Sequence, residues 1–114
     1  MNLQEIIEKL QLQCLTEDKD FSQVVPTSGY VSDLLSCAMS GAQQGALWVT
    51  IQSHMNIVAV AALLDLSAIV ISEDSAPDTA TIAKANEEGV VLLLSEKSIF
   101  HVAGRLWEMG LRDS

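Results

Sequence analysis

Apolar residues at Leu3, Ile6, Ile7 and Leu10 keep the i, i+3, i+4, i+7 spacing of an amphipathic helix. Leu12 and Cys14 then alternate with Gln11 and Gln13, the period-two pattern of a short strand. Thr16 to Asp20 reads as a solvated turn, Phe21 to Val25 as a second short strand, and Pro26-Thr27-Ser28-Gly29-Tyr30 as a loop. Helical spacing returns at Val31, Leu34, Leu35, Ala38, Met39 and Ala42. It predicts a helix to about Ser40, with Ser32 as N-cap and Asp33 set favourably against the helix dipole. Gly41 and Gly45 punctuate the exit.

Ala46 to Ile51 is apolar and β-branched and predicts a strand. It breaks into a polar knot of Gln52, Ser53, His54 and Asn56, after which Ile57 to Leu64 resumes the apolar pattern. Asn56, the alanine content and the length favour a helix to about Leu66 over a strand. Ala68 to Ser72 is the next strand, bounded by the acidic turn Glu73-Asp74-Ser75-Ala76-Pro77-Asp78. Asp78 or Thr79 caps a helix that Gly89 ends as a left-handed residue. Val90 to Leu94 is a buried strand, and Ile99, Val102, Ala103, Leu106 and Met109 mark a last helix closed by Gly110.

Three apolar strands alternating with helices specify an α/β fold. The expected architecture is a single domain with a mostly parallel (mixed) sheet flanked by helices, joined by right-handed crossovers. In such sheets, strand ends that feed helices gather on one edge, where ligands bind. The predicted site there is Thr50, Gln52, His54 and Asn56, joined by Ser28, Gly29 and Tyr30 from the loop before the second helix and by Thr79. Gln52 and Asn56 would supply amide hydrogen bonds, His54 a donor or acceptor, and the helix amino end a positive partial charge. The same residues also suit a purely capping role.

Composition narrows the partners. The 114 residues are 49% hydrophobic and only 18% charged, enough for one core and unlike a disordered chain. Apolar excess of this kind leads us to expect a homodimer. Six basic against fifteen acidic residues give a net charge of -9, and the basic ones are scattered singly, so no nucleic-acid surface is expected. Cys14 and Cys37 form no CxxC pair and read as buried free thiols of a reducing compartment. The amino terminus has no basic signal-peptide region, and the run Ile57 to Leu64 falls far short of the ~20 residues that span a bilayer. A cytoplasmic location is expected.

Motifs for chemistry are sparse. Gly41-Ala42-Gln43-Gln44-Gly45 lacks the GK[ST] ending and the preceding strand of a phosphate loop. Glu73, Asp74 and Asp78 lack the spacing of a calcium loop. His54 has neither a nucleophile–base pair nor an orienting carboxylate beside it in sequence, so binding or capping outweighs catalysis. No metal or cofactor is implied.

The strings Gly29-Tyr30-Val31-Ser32-Asp33-Leu34-Leu35-Ser36, Trp48-Val49-Thr50-Ile51-Gln52-Ser53-His54-Met55-Asn56-Ile57-Val58-Ala59-Val60-Ala61 and Lys84-Ala85-Asn86-Glu87-Glu88-Gly89 resemble stand-alone DRTGG-domain proteins of anaerobic bacteria, over about Gly29 to Leu111. The resemblance implies an α/β module similar to the amino-terminal domain of HPr kinase/phosphorylase. It also implies an accessory, regulatory or dimerising role, and it carries no established ligand or catalytic residue onto this chain; a nucleotide or phosphorylated metabolite is the ligand class we expect to test. A regulatory partner such as a hydrogenase subunit or a serine-kinase-like protein would suit it too. The Asp-Arg-Thr-Gly-Gly string itself is absent, and Glu73-Asp74-Ser75-Ala76-Pro77 stands where relatives often carry glycine. The expected function is therefore a non-enzymatic regulatory module. The alternatives are an enzyme of phosphoryl or acyl transfer using His54, and a pure dimeric scaffold.

Overall fold

The computed structural model describes residues 1–113. Helix α1 (Leu3–Leu10) opens with a capping box: the Asn2 side chain accepts from the Glu5 amide while the Glu5 carboxylate takes the Asn2 amide. Strand β1 (Gln13–Cys14) follows. Phe21–Gln23 is a turn of 3-10 helix, not the expected strand, because Asp20 caps it and Phe21 is buried beside α1. The chain continues through β2 (Gly29–Val31), α2 (Leu35–Gly41), β3 (Leu47–Thr50), α3 (Asn56–Leu64), β4 (Ala68–Ile71), α4 (Thr79–Glu88), β5 (Leu92–Leu94) and α5 (Ile99–Glu108).

Two further expectations are corrected. Gly29–Val31, read from composition as loop, is the edge strand of the sheet, because pairing with β3 overrides its weak intrinsic preference. Ser32 does not cap α2, which starts three residues later behind Leu34 with no side-chain cap. Ser32 Oγ instead accepts from the Leu34 amide (3.1 Å), and Asp33 turns away toward β3.

The five strands lie in the order β1-β5-β4-β3-β2, parallel throughout except for β1, which is antiparallel to β5. From β2 to β5 the chain moves one strand at a time in one direction. Right-handed crossovers therefore put α2, α3 and α4 on the same face. Ala38, Ile57, Val58, Ala61 and Ala85 from these helices pack there on Trp48, Ile69, Ile71 and Leu92. After β5 the chain turns the other way, and α5 and α1 cover Leu47, Val49, Val70 and Leu93 on the opposite face. β3 and β4 are buried on both sides, which explains their unbroken apolar sequences. Cys14 and Cys37 are free thiols, half-buried, not fully buried as expected. Among the described residues no helix is long and apolar enough to cross a membrane.

Candidate functional site

The carboxyl ends of β2, β3, β4 and β5 share one edge, and Asp33 organises its β3 side. Asp33 Oδ1 accepts from Thr50 Oγ1 (3.0 Å) and from the Ile51 amide (2.8 Å). Its backbone carbonyl accepts from Gln52 Nε2 (3.1 Å). Thr50 Oγ1 in turn accepts from the Gln52 amide (3.1 Å). Thr50 is thus fully buried and fully used, and the Gln52 side chain is anchored through its nitrogen, leaving its oxygen as the available acceptor.

Beyond Gln52 the chain turns into α3. Asn56 is the first residue of that helix and not its cap; Met55 occupies the cap position without a side-chain bond. His54 does the capping, its Nδ1 accepting from the Asn56 amide at 3.2 Å. A neutral imidazole whose Nδ1 accepts must carry its proton on Nε2, so His54 presents an N–H donor outward.

Facing this loop is the start of α4. Asp78 is its N-cap, accepting from the Thr81 amide at 2.8 Å. The Thr81 amide, then the Thr81 hydroxyl and, to a smaller degree, nearby His54 hold the Asp78 carboxyl below its ordinary value. Between the two segments opens a cleft of about 570 Å³ lined by Gln52, Ser53, His54, Asp78 and Thr81, with Ile51, Met55 and Ala76 completing the wall. Ser53 Oγ lies 3.4 Å from Ser75 Oγ and makes no bond to His54. Among the described residues His54 has no carboxylate within ion-pair distance, and no Lys or Arg lines the cleft.

The structure therefore joins Gln52 and His54 with Asp78 and Thr81. Thr50 sits directly beneath as a buried strut. Asn56 and Thr79 stand exposed at the first positions of α3 and α4, beside the cleft but outside its lining. Ser28 and Gly29 are elsewhere: Ser28 immediately precedes β2 and Gly29 begins it, so they lie at the opposite, amino edge of the parallel strands. That placement corrects the expectation that their loop leads straight into a helix. Tyr30 serves packing, its hydroxyl donating to the Cys37 carbonyl (3.0 Å) while its ring lies where a Cβ on Gly41 would come within 2.6 Å. Asp33, Asp78 and Thr81 were missed as site residues, Asp78 being read only as a helix cap. Asp33 read as a helix-start acid, and only the β2–β3 pairing reveals that it reaches Thr50. Thr81 sits three residues past Asp78, the spacing of a cap, and that was the available signal. No group of His, Cys, Asp and Glu able to hold a metal ion occurs among the described residues.

No family model matches this chain, and no curated protein does. Among solved structures it is similar to the CBS and DRTGG domains of the regulatory region of a Clostridium perfringens pyrophosphatase, complexed with the activator diadenosine tetraphosphate. The TM-score is 0.74 at 14% identity over 90% of this chain. The chain spans 44% of the length of that structure. The likeness establishes a DRTGG-like α/β fold, as the sequence resemblance implied.

Proposed function

We propose that this chain is a non-enzymatic regulatory module that binds a small polar ligand in the cleft between the β3–α3 loop and the start of α4. The observation that carries the reading is the unfilled side of that cleft. Gln52 Oε1, His54 Nε2–H and the Asp78 carboxylate offer an acceptor, a donor and an anion from two elements, at the sheet edge where ligands of open α/β folds bind. The pyrophosphatase region of like fold is held with a nucleotide activator, which supports a nucleotide as the first ligand class to test. Without a lysine or arginine in the lining, the nucleoside part would do most of the binding, its hydroxyls donating to Asp78 and Gln52.

The acyl- or phosphoryl-transfer alternative would require His54 to act on a nucleophile. Ser53 is turned to Ser75, which weighs against it. The module is expected to work as a cytoplasmic homodimer and to pass ligand state to a partner such as a hydrogenase subunit or a serine-kinase-like regulator. The scaffold reading shares that partner but needs no ligand.

A thermal-shift series with adenosine, AMP, ATP and diadenosine tetraphosphate tests the site. A bound ligand raises the melting temperature in a concentration-dependent way. The combined Gln52→Ala and His54→Ala variant should lose that rise while keeping its own fold. A rise of unchanged size in the variant would place the ligand elsewhere.

A further inference from the structure

Helix α5 buries Val102 and Leu106 against the sheet and turns Phe100, Gly104 and Trp107 outward. Phe100 is 86% exposed and Trp107 55% exposed. Gly104 lies between them in mid-helix, where glycine is less favourable than alanine. Nothing within the chain demands it, since a Cβ there would meet no atom within 4 Å. Over Gly104 lies a shallow hollow of about 430 Å³ flanked by Phe100, His101 and Glu108.

Beside the last turn of α5 runs a second groove, of about 360 Å³, walled by Val31, Ala103, Trp107 and Leu111. Its rim is held in place by Arg112. The guanidinium lies 4.1 Å from the centre of the Trp107 ring and donates to the Trp107 carbonyl at 2.7 Å. An exposed phenyl group and an apolar groove of sufficient size thus occupy opposite ends of one helix face.

We infer that this face binds a second copy of the chain, with the two α5 helices antiparallel and crossing at Gly104. The inference rests on the homodimer reading above and adds its surface. A two-fold axis at Gly104 lets the backbones approach closely. It also carries Phe100 of each copy to the last turn of the other's α5, where the groove lies; such a contact is self-complementary and closed. Charge permits the same orientation. Glu96 and Lys97 precede the helix, Arg105 and Glu108 lie in its carboxyl half with Arg112 just beyond, and Arg105 pairs with Glu108 at 3.4 Å, so neither end presents a single sign to a partner. Residues 99–107 contain no acid, although the chain as a whole carries -9. Along that stretch two acidic copies meet without mutual repulsion, and Glu108 at its edge is paired with Arg105 of its own chain.

Light-scattering mass of the full chain against concentration tests this, with Phe100→Asp and Gly104→Leu beside the unaltered protein. Both positions are exposed, and circular dichroism melts verify that each variant folds. The expected result is a mass of two chains for the unaltered protein, and a dissociation constant raised more than about tenfold in each folded variant. In Gly104→Cys, oxidation should link two chains covalently, which reports the crossing point even if the other variants fold poorly. A dimer whose mass and affinity survive both substitutions would overturn the interface while leaving the homodimer reading intact. A monomeric mass at every concentration would overturn both and leave the face to a different protein.

Discussion

Two stretches of the carboxyl edge of the sheet are built from the same residue types, yet the one between β3 and α4 is open and the one between β4 and β5 is closed. Between β4 and β5 the chain changes face, α4 going to one side and α5 to the other, which is the topology that usually creates a binding crevice. Here that crevice is closed. The Glu73 amide donates to the Lys97 carbonyl (2.8 Å) and the Asp74 amide to the Ser95 carbonyl (2.9 Å). The Glu73 carboxylate caps α5 through the Ile99 amide (3.0 Å). To reach these partners, Glu73 and Asp74 both adopt left-handed backbone conformations, φ 60° and 54°. In the other stretch, between β3 and α4, a single side-chain contact, Ser53 to Ser75 at 3.4 Å, joins the two loops, while Gln52, His54 and Asp78 bond on their own sides and leave a cleft between them. Strand-end position is thus necessary for a site, and whether neighbouring loops cap one another decides between a site and a seal.

If that contrast is right, the largest loss of stability should come from the strut beneath the open stretch. Asp33→Ala removes the acceptor of a fully buried threonine hydroxyl and of the Ile51 amide at once. The expected cost is about 3 kcal/mol in urea unfolding, since hydrogen bonds to a charged acceptor are among the stronger ones. A cost no larger than that of an ordinary surface substitution would mean that Asp33 is incidental to the edge. Glu73→Ala in the closed stretch should cost less, about 1 kcal/mol, as a lost helix cap does. It should leave ligand-induced shifts unchanged, and a ligand effect there would erase the distinction between the two stretches.

How much of this was legible in the sequence follows from the range of each interaction. The buried strands β3 and β4 and the helices α1, α4 and α5 were readable because period and caps lie within a few residues. The Asp78 cap and the Gly89 stop, at φ 72°, are of that kind. The edge strand β2 was not readable, because Gly29, Tyr30 and Val31 are extended only by virtue of lying along β3. Asp33 was invisible as a site residue for the same reason, its partners standing 17 and 18 positions away. The knot at Gln52 and His54 was found, while its facing wall at Asp78 and Thr81 required the β3–β4 pairing to bring it near.

The open stretch should also show itself in acid. The Asp78 carboxyl is held below its ordinary 3.8 by the Thr81 amide and hydroxyl and, less, by His54. A folded pKa below the unfolded one contributes stability that is present above the unfolded value and lost as pH falls through the folded value. Asp78→Asn should therefore flatten the fall of melting temperature below about pH 4. A variant whose acid limb superimposes on that of the unaltered protein would show that this cap carries no charge-dependent stability.

The smallest stability effect, and the sharpest test of the contrast, belongs to His54→Ala. The imidazole is exposed and its one bond is to the Asn56 amide, a capping contact in contact with water, so its loss should cost only about 0.5 kcal/mol. Ligand binding should suffer far more, because the Nε2–H that His54 turns outward is a donor that neither Asp78 nor Gln52 Oε1 can replace. His54→Gln keeps a side-chain acceptor for the Asn56 amide and should recover the stability without the full affinity. The pair Glu73→Ala and His54→Ala should thus move in opposite senses, stability without binding and binding without stability, when urea unfolding and ligand-induced melting shifts are measured on the same samples. If both variants lose stability alone, His54 is a cap like Glu73, and the cleft is a second seal left unfilled.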